Sequence, residues 1–198
     1  MTDSNKGIGE MIKLGLILVC YAVAACTVLA LVYNLTADRI KQNQNNAGSK
    51  AMAEVFSNAD SFTSVTDFEP SENGAVTLSD FYIAKQGENV VGAVVQVTGP
   101  TYDKTRLVVG VDTNGIVTGM KILETSDSPG FGLKAGDPNY TLANGKTFYG
   151  QFAGKDTKEG FITNQTFDGI TGATITSDAI GVLLTEGTDC INKYLEAY

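Results

Sequence analysis

The 198-residue sequence contains no histidine, no tryptophan and only three cysteines, none of which form a CxxC pair. Without histidine the chain lacks an imidazole triad, a His-ligated zinc or haem and a histidine proton shuttle. Three scattered cysteines exclude a disulfide scaffold, a thioredoxin-type centre and an iron–sulfur cluster held by this chain alone. The chemistry must therefore come from carboxylates, hydroxyls, glycines or a bound cofactor, and we expect no metal site.

Basic residues are also scarce, with 14 Lys and Arg against 22 Asp and Glu and a formal charge of −8. Residues 1–50 carry five basic and three acidic side chains, so the acidity belongs to the remainder of the chain. An acidic balance without a basic stripe predicts that nucleic acid is not a partner. The length suits one domain of ordinary size together with an anchor.

One apolar run, from Leu14 to Leu35, stands out against this polar background. It contains no charge, and Asn34 is its only strongly polar residue. As a helix it would be about 33 Å long, which matches a hydrocarbon core of about 30 Å. The run predicts a transmembrane helix over residues 14–35 and hence a membrane protein.

Two processed alternatives compete with an uncleaved span. A secretory signal has a shorter apolar region, of about 7–15 residues, followed by a cleavage site. The segment Val23-Ala24-Ala25-Cys26 resembles a lipoprotein signal with Cys26 as the lipidated residue, but the apolar sequence continues to Val32. The run therefore favours an uncleaved span. Basic residues flank it on both sides, so the positive-inside rule leaves its orientation open.

After the span, the polar segment Thr36–Ala59 predicts a helical extension or stalk that breaks near Gly48. Residues 51–56 would add another helical turn or two. The segment Ser57–Gly74 is rich in Ser, Asp and Glu and is predicted to be a loop.

Two β-hairpins are predicted next, each from two β-branched or aromatic runs joined by turn residues. The first pairs Phe81–Ala84 with Val90–Val97, and the second pairs Leu107–Val111 with Ile116–Leu123.

The chain ends in its clearest soluble helix, predicted from about Asp178 to Ala197 with Thr176 and Ser177 as hydroxyl caps. Residues 148–152 and 161–163 are predicted to be two further short strands. Antiparallel hairpins with terminal helices predict an α+β fold. Cys190 lies on the apolar stripe of the last helix and is interpreted as a structural thiol. The stripe consists of Ala179, Val182, Leu183, Leu184, Cys190, Ile191 and Tyr194.

The segment Asp168–Ser177 is a turn of small residues that leads directly into this helix. A helix N-terminus has unpaired N–H groups and a partial positive charge, which favour phosphate. Gly172 and Ala173 would let a bulky group approach the backbone, and several hydroxyls lie nearby. On these grounds alone, a phosphate site and a plain turn before a capped helix both stay open.

Residues 168–174, Asp-Gly-Ile-Thr-Gly-Ala-Thr, resemble the flavinylation motif of the covalent FMN-binding domain family. In that family a dedicated flavin transferase moves FMN from FAD onto the last threonine as a phosphoester. The resemblance implies that Thr174 carries covalent FMN and that Thr171, Gly172 and Ala173 belong to the binding motif.

The loop Asp127–Gly132 is similar to the family's Glu-Thr-Pro-Gly-Leu-Gly loop and implies further flavin contacts from Asp127, Ser128, Gly130 and Phe131. Asp, Ser and Phe replace Glu, Thr and Leu, which preserves an acid, a hydroxyl and an apolar residue. The resemblance covers roughly Phe81 to Tyr198. No spacing selects a ring neighbour among Tyr82, Tyr102, Tyr140 and Tyr149.

The whole plan resembles the G subunit family of the Rnf complex, an ion-translocating ferredoxin:NAD+ oxidoreductase. It implies a tail (1–13), a transmembrane helix (14–35), a stalk and linker (36–75) and a covalent FMN-binding domain (76–198). It also implies an electron-transfer subunit of a Na+ or H+ translocase, with the FMN domain on the outer face of the cytoplasmic membrane. Its partners would be other membrane subunits of the complex and, for maturation, the flavin transferase.

Three other functions stay open at this point. The C-type subunit of a sodium-pumping NADH:quinone reductase has a similar plan but is usually longer. A stand-alone outer-face flavoprotein reductase would turn over by itself, whereas a relay subunit would be an electron carrier without catalytic residues of its own. A non-redox anchored protein would use the threonine-rich turn only as structure.

Overall fold

A computed structural model describes residues 4–198 of the protein, with the side chains of all but residues 4–8, 38, 41 and 43–46. Residues 1–3 of the predicted tail lie outside this range. The chain divides into two compact units, one ending at Asn46 and the other covering Ala47–Tyr198. The elements, in chain order, are α1 (Ser4–Val55), β1 (Ser61–Val65), β2 (Thr77–Gln86), β3 (Asn89–Pro100), β4 (Lys104–Asp112), β5 (Val117–Thr125) and α2 (Thr174–Ala197).

The described residues of the first unit lie within α1. Its segment Gly9–Ala37 has 29 residues and a mean hydropathy of 2.6, which is long and apolar enough to cross a membrane, and it includes the predicted span. None of its most apolar window is buried, and Leu18 and Leu29 are each 69% exposed. A helix that is apolar on all sides is typical of a membrane span.

The predicted helix break near Gly48 is wrong, because α1 continues through this residue to Val55. A glycine inside a helix costs only about 1 kcal/mol relative to alanine. The next turns bury Ala51, Met52 and Val55 within the second unit. That burial outweighs the local preference of one glycine.

The second unit contains a five-stranded antiparallel sheet in the order β1-β2-β3-β4-β5, and the α+β fold class is confirmed. Both predicted hairpins are present with longer strands, and Val95 pairs with Val109 at their junction. The predicted loop Ser57–Gly74 is wrong over residues 61–65, which form β1 at the sheet edge. Three of its five residues are exposed Ser or Thr, and the strand is stabilised by backbone pairing with β2, for example Thr63 with Ile83, together with packing of Phe62 and Val65.

The two faces of the sheet are covered differently. The main core lies between one face and α2, while Met52, Val55 and Phe56 pack on the other face against Val94 and neighbouring residues. Paired glycines make room for this second contact. A Cβ at Gly110 would lie 2.9 Å from Val55 Cγ1, and a Cβ at Gly119 would lie 3.1 Å from the Val55 carbonyl oxygen.

Residues 126–173 connect β5 to α2 through three short 3-10 turns, so the predicted strands 148–152 and 161–163 are wrong. Phe148 and Phe152 are fully buried and pack edge-on at 5.6 Å, and Phe167 lies 5.0 Å from Phe152. Closely spaced aromatic residues are typical of a strand, which explains the wrong prediction. Here their side chains pack in the core from successive turns.

Helix α2 begins at Thr174, four residues before its predicted start, and buries Ile180, Leu183, Leu184 and Ile191 against the sheet. Val182, predicted on the stripe, is 46% exposed, so that assignment is wrong.

Cys190 is buried on the apolar side of α2, as predicted. Burial raises the pKa of its thiol to about 11, and the nearby Glu69 carboxylate acts in the same direction. A thiol that is almost entirely protonated at neutral pH is a poor nucleophile, so Cys190 has the character of a structural residue.

Candidate functional site

The first turn of α2 is open to ligands. Ala173 is the N-cap residue, with no capping side chain, and Thr174 is exposed immediately after it. The first N–H groups of a helix lack partners within the helix and carry its positive end. The predicted caps Thr176 and Ser177 are wrong, because both residues lie inside the helix and turn their hydroxyls to other partners.

The turn before the helix is held from within. The Ala173 N–H donates to the Ile170 carbonyl at 2.9 Å, the Ile170 N–H donates to Ser177 Oγ at 2.9 Å, and Ser177 Oγ donates to the Ala173 carbonyl at 3.0 Å. Gly172 has a φ of +82°, a conformation that favours glycine. Thr171 is exposed beside it. The turn therefore presents Thr174 from a fixed backbone.

A cleft of about 520 Å³ opens at this turn. It is formed by the β3–β4 turn, the loop after β5 and the first turn of α2. Tyr102, Phe131 and Ile175 stand at its rim, each more than half exposed. The lining consists of Tyr102, Ser128, Pro129, Phe131, Gly132, Gly172, Ala173, Thr174, Ile175 and Thr176.

These features fit FMN. The volume lies within the range of about 300–1,000 Å³ that is usual for small-molecule sites. The aromatic rim offers flat apolar surface for a ring system, and the helix N-terminus suits a phosphate. Phe131 also approaches the glycine turn closely, since a Cβ at Gly172 would lie 3.3 Å from its ring. The residues present can therefore hold the ring near Phe131 and the phosphate near Thr174.

Asp127 lies beneath the cleft and is only 2% exposed. Its Oδ1 accepts from Thr101 Oγ1 at 2.6 Å and from the Asp103 N–H at 2.9 Å, and its Oδ2 accepts from Thr176 Oγ1 at 2.6 Å. Burial alone would raise the pKa of this carboxyl. The combined hydrogen bonds outweigh burial and hold the pKa below its usual value, so the group is ionised at neutral pH.

The structure brings together some of the predicted flavin contacts. Ser128 and Phe131 line the cleft with Gly172, Ala173 and Thr174. Gly130 is exposed and lines a neighbouring cleft of about 640 Å³.

Two roles are not apparent from sequence. The Gln151 side chain donates to the Asp168 carbonyl at 3.0 Å and accepts from the Asp168 N–H at 2.8 Å, which holds the start of the motif. Thr176 bonds Asp127 across 49 residues of chain. Residue type signals neither contact, because each depends on loops that meet only in the fold. The fold likewise selects Tyr102 among the four candidate tyrosines, because only this one lines the cleft with Thr174.

Comparison with known proteins agrees with this geometry. The family profile described as the FMN-binding domain matches residues 101–187, which include the whole cleft. A second profile, described as the RnfG N-terminal region, matches residues 1–55.

Whole-chain relatives are also found. The G subunit of the Na(+)-translocating ferredoxin:NAD(+) oxidoreductase complex of Acetobacterium woodii is 33% identical, over 94% of this chain and 90% of its own. The G subunit of the ion-translocating oxidoreductase complex of Methanosarcina acetivorans is 27% identical, over 97% of this chain and 98% of its own. The corresponding subunit of Vibrio cholerae is also 27% identical, over 92% of this chain and 90% of its own. The chain thus belongs to the family of G subunits of ion-translocating oxidoreductase complexes, and its C-terminal part is an FMN-binding domain.

Proposed function

We propose that this protein is a membrane-anchored electron-transfer subunit of an Rnf-type ferredoxin:NAD+ oxidoreductase that translocates Na+ or H+, and that it carries FMN esterified to Thr174. The observation that carries the proposal is an exposed threonine hydroxyl at an open helix N-terminus, inside a cleft with an aromatic rim. The names of the relatives and their coverage of the whole chain support the place in a complex.

Attachment needs an activated Thr174. In the transfer, Thr174 Oγ1 forms a bond to the FMN phosphorus of FAD, the pyrophosphate bond breaks, AMP leaves, and the threonine proton passes to a base. A threonine hydroxyl is a weak nucleophile without such a base. No Asp, Glu, Lys or Arg lines the cleft as the structure describes it. We therefore assign the base to the flavin transferase, which acts on this chain as a substrate.

The chain's own residues then hold the attached group. The α2 N-terminus would stabilise the phosphodiester charge through its free N–H groups. Tyr102 and Phe131 would cover the ring, and Ser128 would offer a polar contact. Thr171 and Gly130 would contribute from the turns that carry Gly172 and Phe131. When bound, FMN supplies the one- and two-electron chemistry of the relay. An ester bond also removes loss of cofactor by dissociation.

The remaining parts of the proposal concern the membrane. Residues 14–35 anchor the chain in the cytoplasmic membrane, and residues 76–198 form the FMN domain on its outer face. Covalent attachment suits that face, where free flavin is scarce. The other membrane subunits of the complex are the electron donors and acceptors, and they position this domain for electron transfer.

Thr174→Ala in the full chain, produced with its flavin transferase, tests the assignment. The expected result is complete loss of flavin fluorescence from the denatured protein band, with normal expression and membrane location. Thr185→Ala is a matched control, because Thr185 lies on the same helix and its hydroxyl bonds the Gly181 carbonyl. Fluorescence that persists in Thr174→Ala would reject Thr174 as the site.

Turnover separates a relay from a stand-alone reductase. The purified flavinylated chain should be reducible by dithionite and yet idle with NADH and a soluble acceptor. Catalytic turnover by the chain alone would favour the reductase.

A further inference from the structure

The carboxylate of Asp127 is bound by three separate parts of the chain. Its donors are Thr101 and Asp103 in the β3–β4 turn and Thr176 in α2, while Asp127 itself begins the loop that carries Ser128 and Phe131. These are the three segments that form the cleft. The buried carboxylate of Asp127 therefore connects all three segments of the cleft by hydrogen bonds.

The loop backbone at Gly132 packs closely against the hydrogen bond between Asp127 and Thr176. A Cβ at Gly132 would lie 2.5 Å from Asp127 Oδ2 and 2.5 Å from Thr176 Oγ1. The loop backbone thus closes directly over this hydrogen bond. A buried carboxylate that lost one of its donors would bear an unsatisfied charge, which is a costly state. The link from Asp127 to Thr176 is accordingly a stiff one.

Helix geometry connects this link to Thr174. Successive residues of an α-helix are rotated by about 100°, so positions 174 and 176 lie on nearly opposite sides of the helix. Thr176 is buried against Asp127 while Thr174 is exposed, as this rotation requires. Fixing the Thr176 hydroxyl therefore fixes the rotation of the first turn and the direction in which Thr174 faces.

We propose that Asp127 is a positioning residue that acts through the Thr176 hydroxyl to hold Thr174 at the angle required for attachment and retention of FMN. The inference rests on the proposed function, and it gives Asp127 a role without direct flavin contact. A small misplacement of a reacting group reduces rate strongly, by as much as about 100-fold.

The test breaks the link without changing the charge or the acceptor. Thr176→Val removes the hydroxyl at nearly constant shape, and Thr176→Ser restores it. Thr188→Val is the matched control, because Thr188 is a threonine of the same helix that is 1% exposed, against 2% for Thr176, and bonds only the Thr185 carbonyl. Each full-length variant is produced with the flavin transferase, and the flavinylated fraction of the Thr174 peptide is followed over time by mass spectrometry.

We expect Thr176→Val to be flavinylated about tenfold more slowly than wild type, and Thr176→Ser and Thr188→Val at the wild-type rate. The visible circular dichroism of the flavin that is attached should change in Thr176→Val alone.

Three results would overturn the inference: a wild-type rate in Thr176→Val, an equal loss in Thr188→Val, or no recovery in Thr176→Ser. A bare Thr174 in the wild-type protein is a different result, which overturns the proposed function as well.

Discussion

The two helices of this protein are both rich in apolar residues but bury them in opposite ways. In α1 the window with the highest hydropathy has no buried residue, and its large side chains point outward on every side. In α2 the apolar side chains are divided, with Leu184 fully buried and Val182 46% exposed two residues earlier. The one-sided apolar stripe of α2 suits packing on a sheet, whereas the uniformly apolar segment of α1 is typical of a membrane span.

Small residues follow the same division. A Cβ at Gly15 of α1 would meet nothing within 4 Å, whereas a Cβ at Gly187 of α2 would lie 2.7 Å from Val97 Cγ2 and 3.0 Å from Val109 Cγ1. One glycine is free for contact with another membrane helix. The other is required by the fold of its own domain.

The largest effect should come from making α1 polar. Leu18→Arg combined with Leu29→Arg places two charges within the span, at a cost of up to about 3 kcal/mol each, the value for the centre of a membrane helix. We expect the protein to leave the alkali-washed membrane fraction, as followed by immunoblotting. The pair Leu18→Ile and Leu29→Ile keeps the hydropathy and should stay in the membrane. Retention of the arginine variant would argue against a span at these residues.

The buried side of α2 should be the next most sensitive. Leu184→Ala removes a fully buried side chain and should lower the free energy of unfolding by about 3 kcal/mol. Val182→Ala, on the exposed side, should lower it by less than about 1 kcal/mol. Urea titrations of the full chain in detergent, followed by near-UV circular dichroism, compare the two. Equal losses would contradict the described burial of α2.

Alanine substitutions at Gly187 and Gly15 should differ by a smaller amount in their effect on the free energy of unfolding. Gly187→Ala overpacks the interface between α2 and the sheet and should lower the free energy of unfolding by about 1–3 kcal/mol. Gly15→Ala should leave the same urea midpoint unchanged. A stabilised Gly187→Ala protein would show that the interface has room to spare.

The smallest effect concerns pH. The span from Leu14 to Leu35 has no carboxylate, whereas the first turn of α2 depends on ionised Asp127. Because the pKa of Asp127 is lower in the folded state, its stabilising contribution is complete above the unfolded value of about 3.9 and is lost as pH falls through the native value. The difference in unfolding free energy between wild type and Asp127→Asn should therefore be constant near pH 7 and shrink below about pH 4. Urea titrations across this range measure it, and a difference independent of pH would count against the ionised carboxylate.

Sequence patterns predicted the elements whose signals are local. Turn residues between β-branched runs located both hairpins, and continuous hydropathy located the apolar segment of α1. Strand β1 has no such signal, because Ser61–Val65 is a polar edge that depends on pairing with β2. The phenylalanines at 148 and 152 gave a false strand signal, since their rings are buried from a 3-10 turn.

The site was predictable to the extent that its residues are contiguous. The turn before α2 indicated a helix N-terminus open to a ligand, and only the family resemblance singled out Thr174 and the loop with Ser128 and Phe131. The hydrogen bond between Asp127 and Thr176 was not predictable, because hydroxyls beside a helix start are most simply interpreted as caps. Only the fold shows that this hydroxyl turns inward to a carboxylate from another loop.

Covalent attachment of FMN is best measured by the mass of the peptide that contains Thr174, taken from the native membrane complex. We expect this peptide to be heavier by the mass of one FMN less one water, with fragment ions that place the addition on Thr174. An unmodified peptide from the intact complex would contradict it.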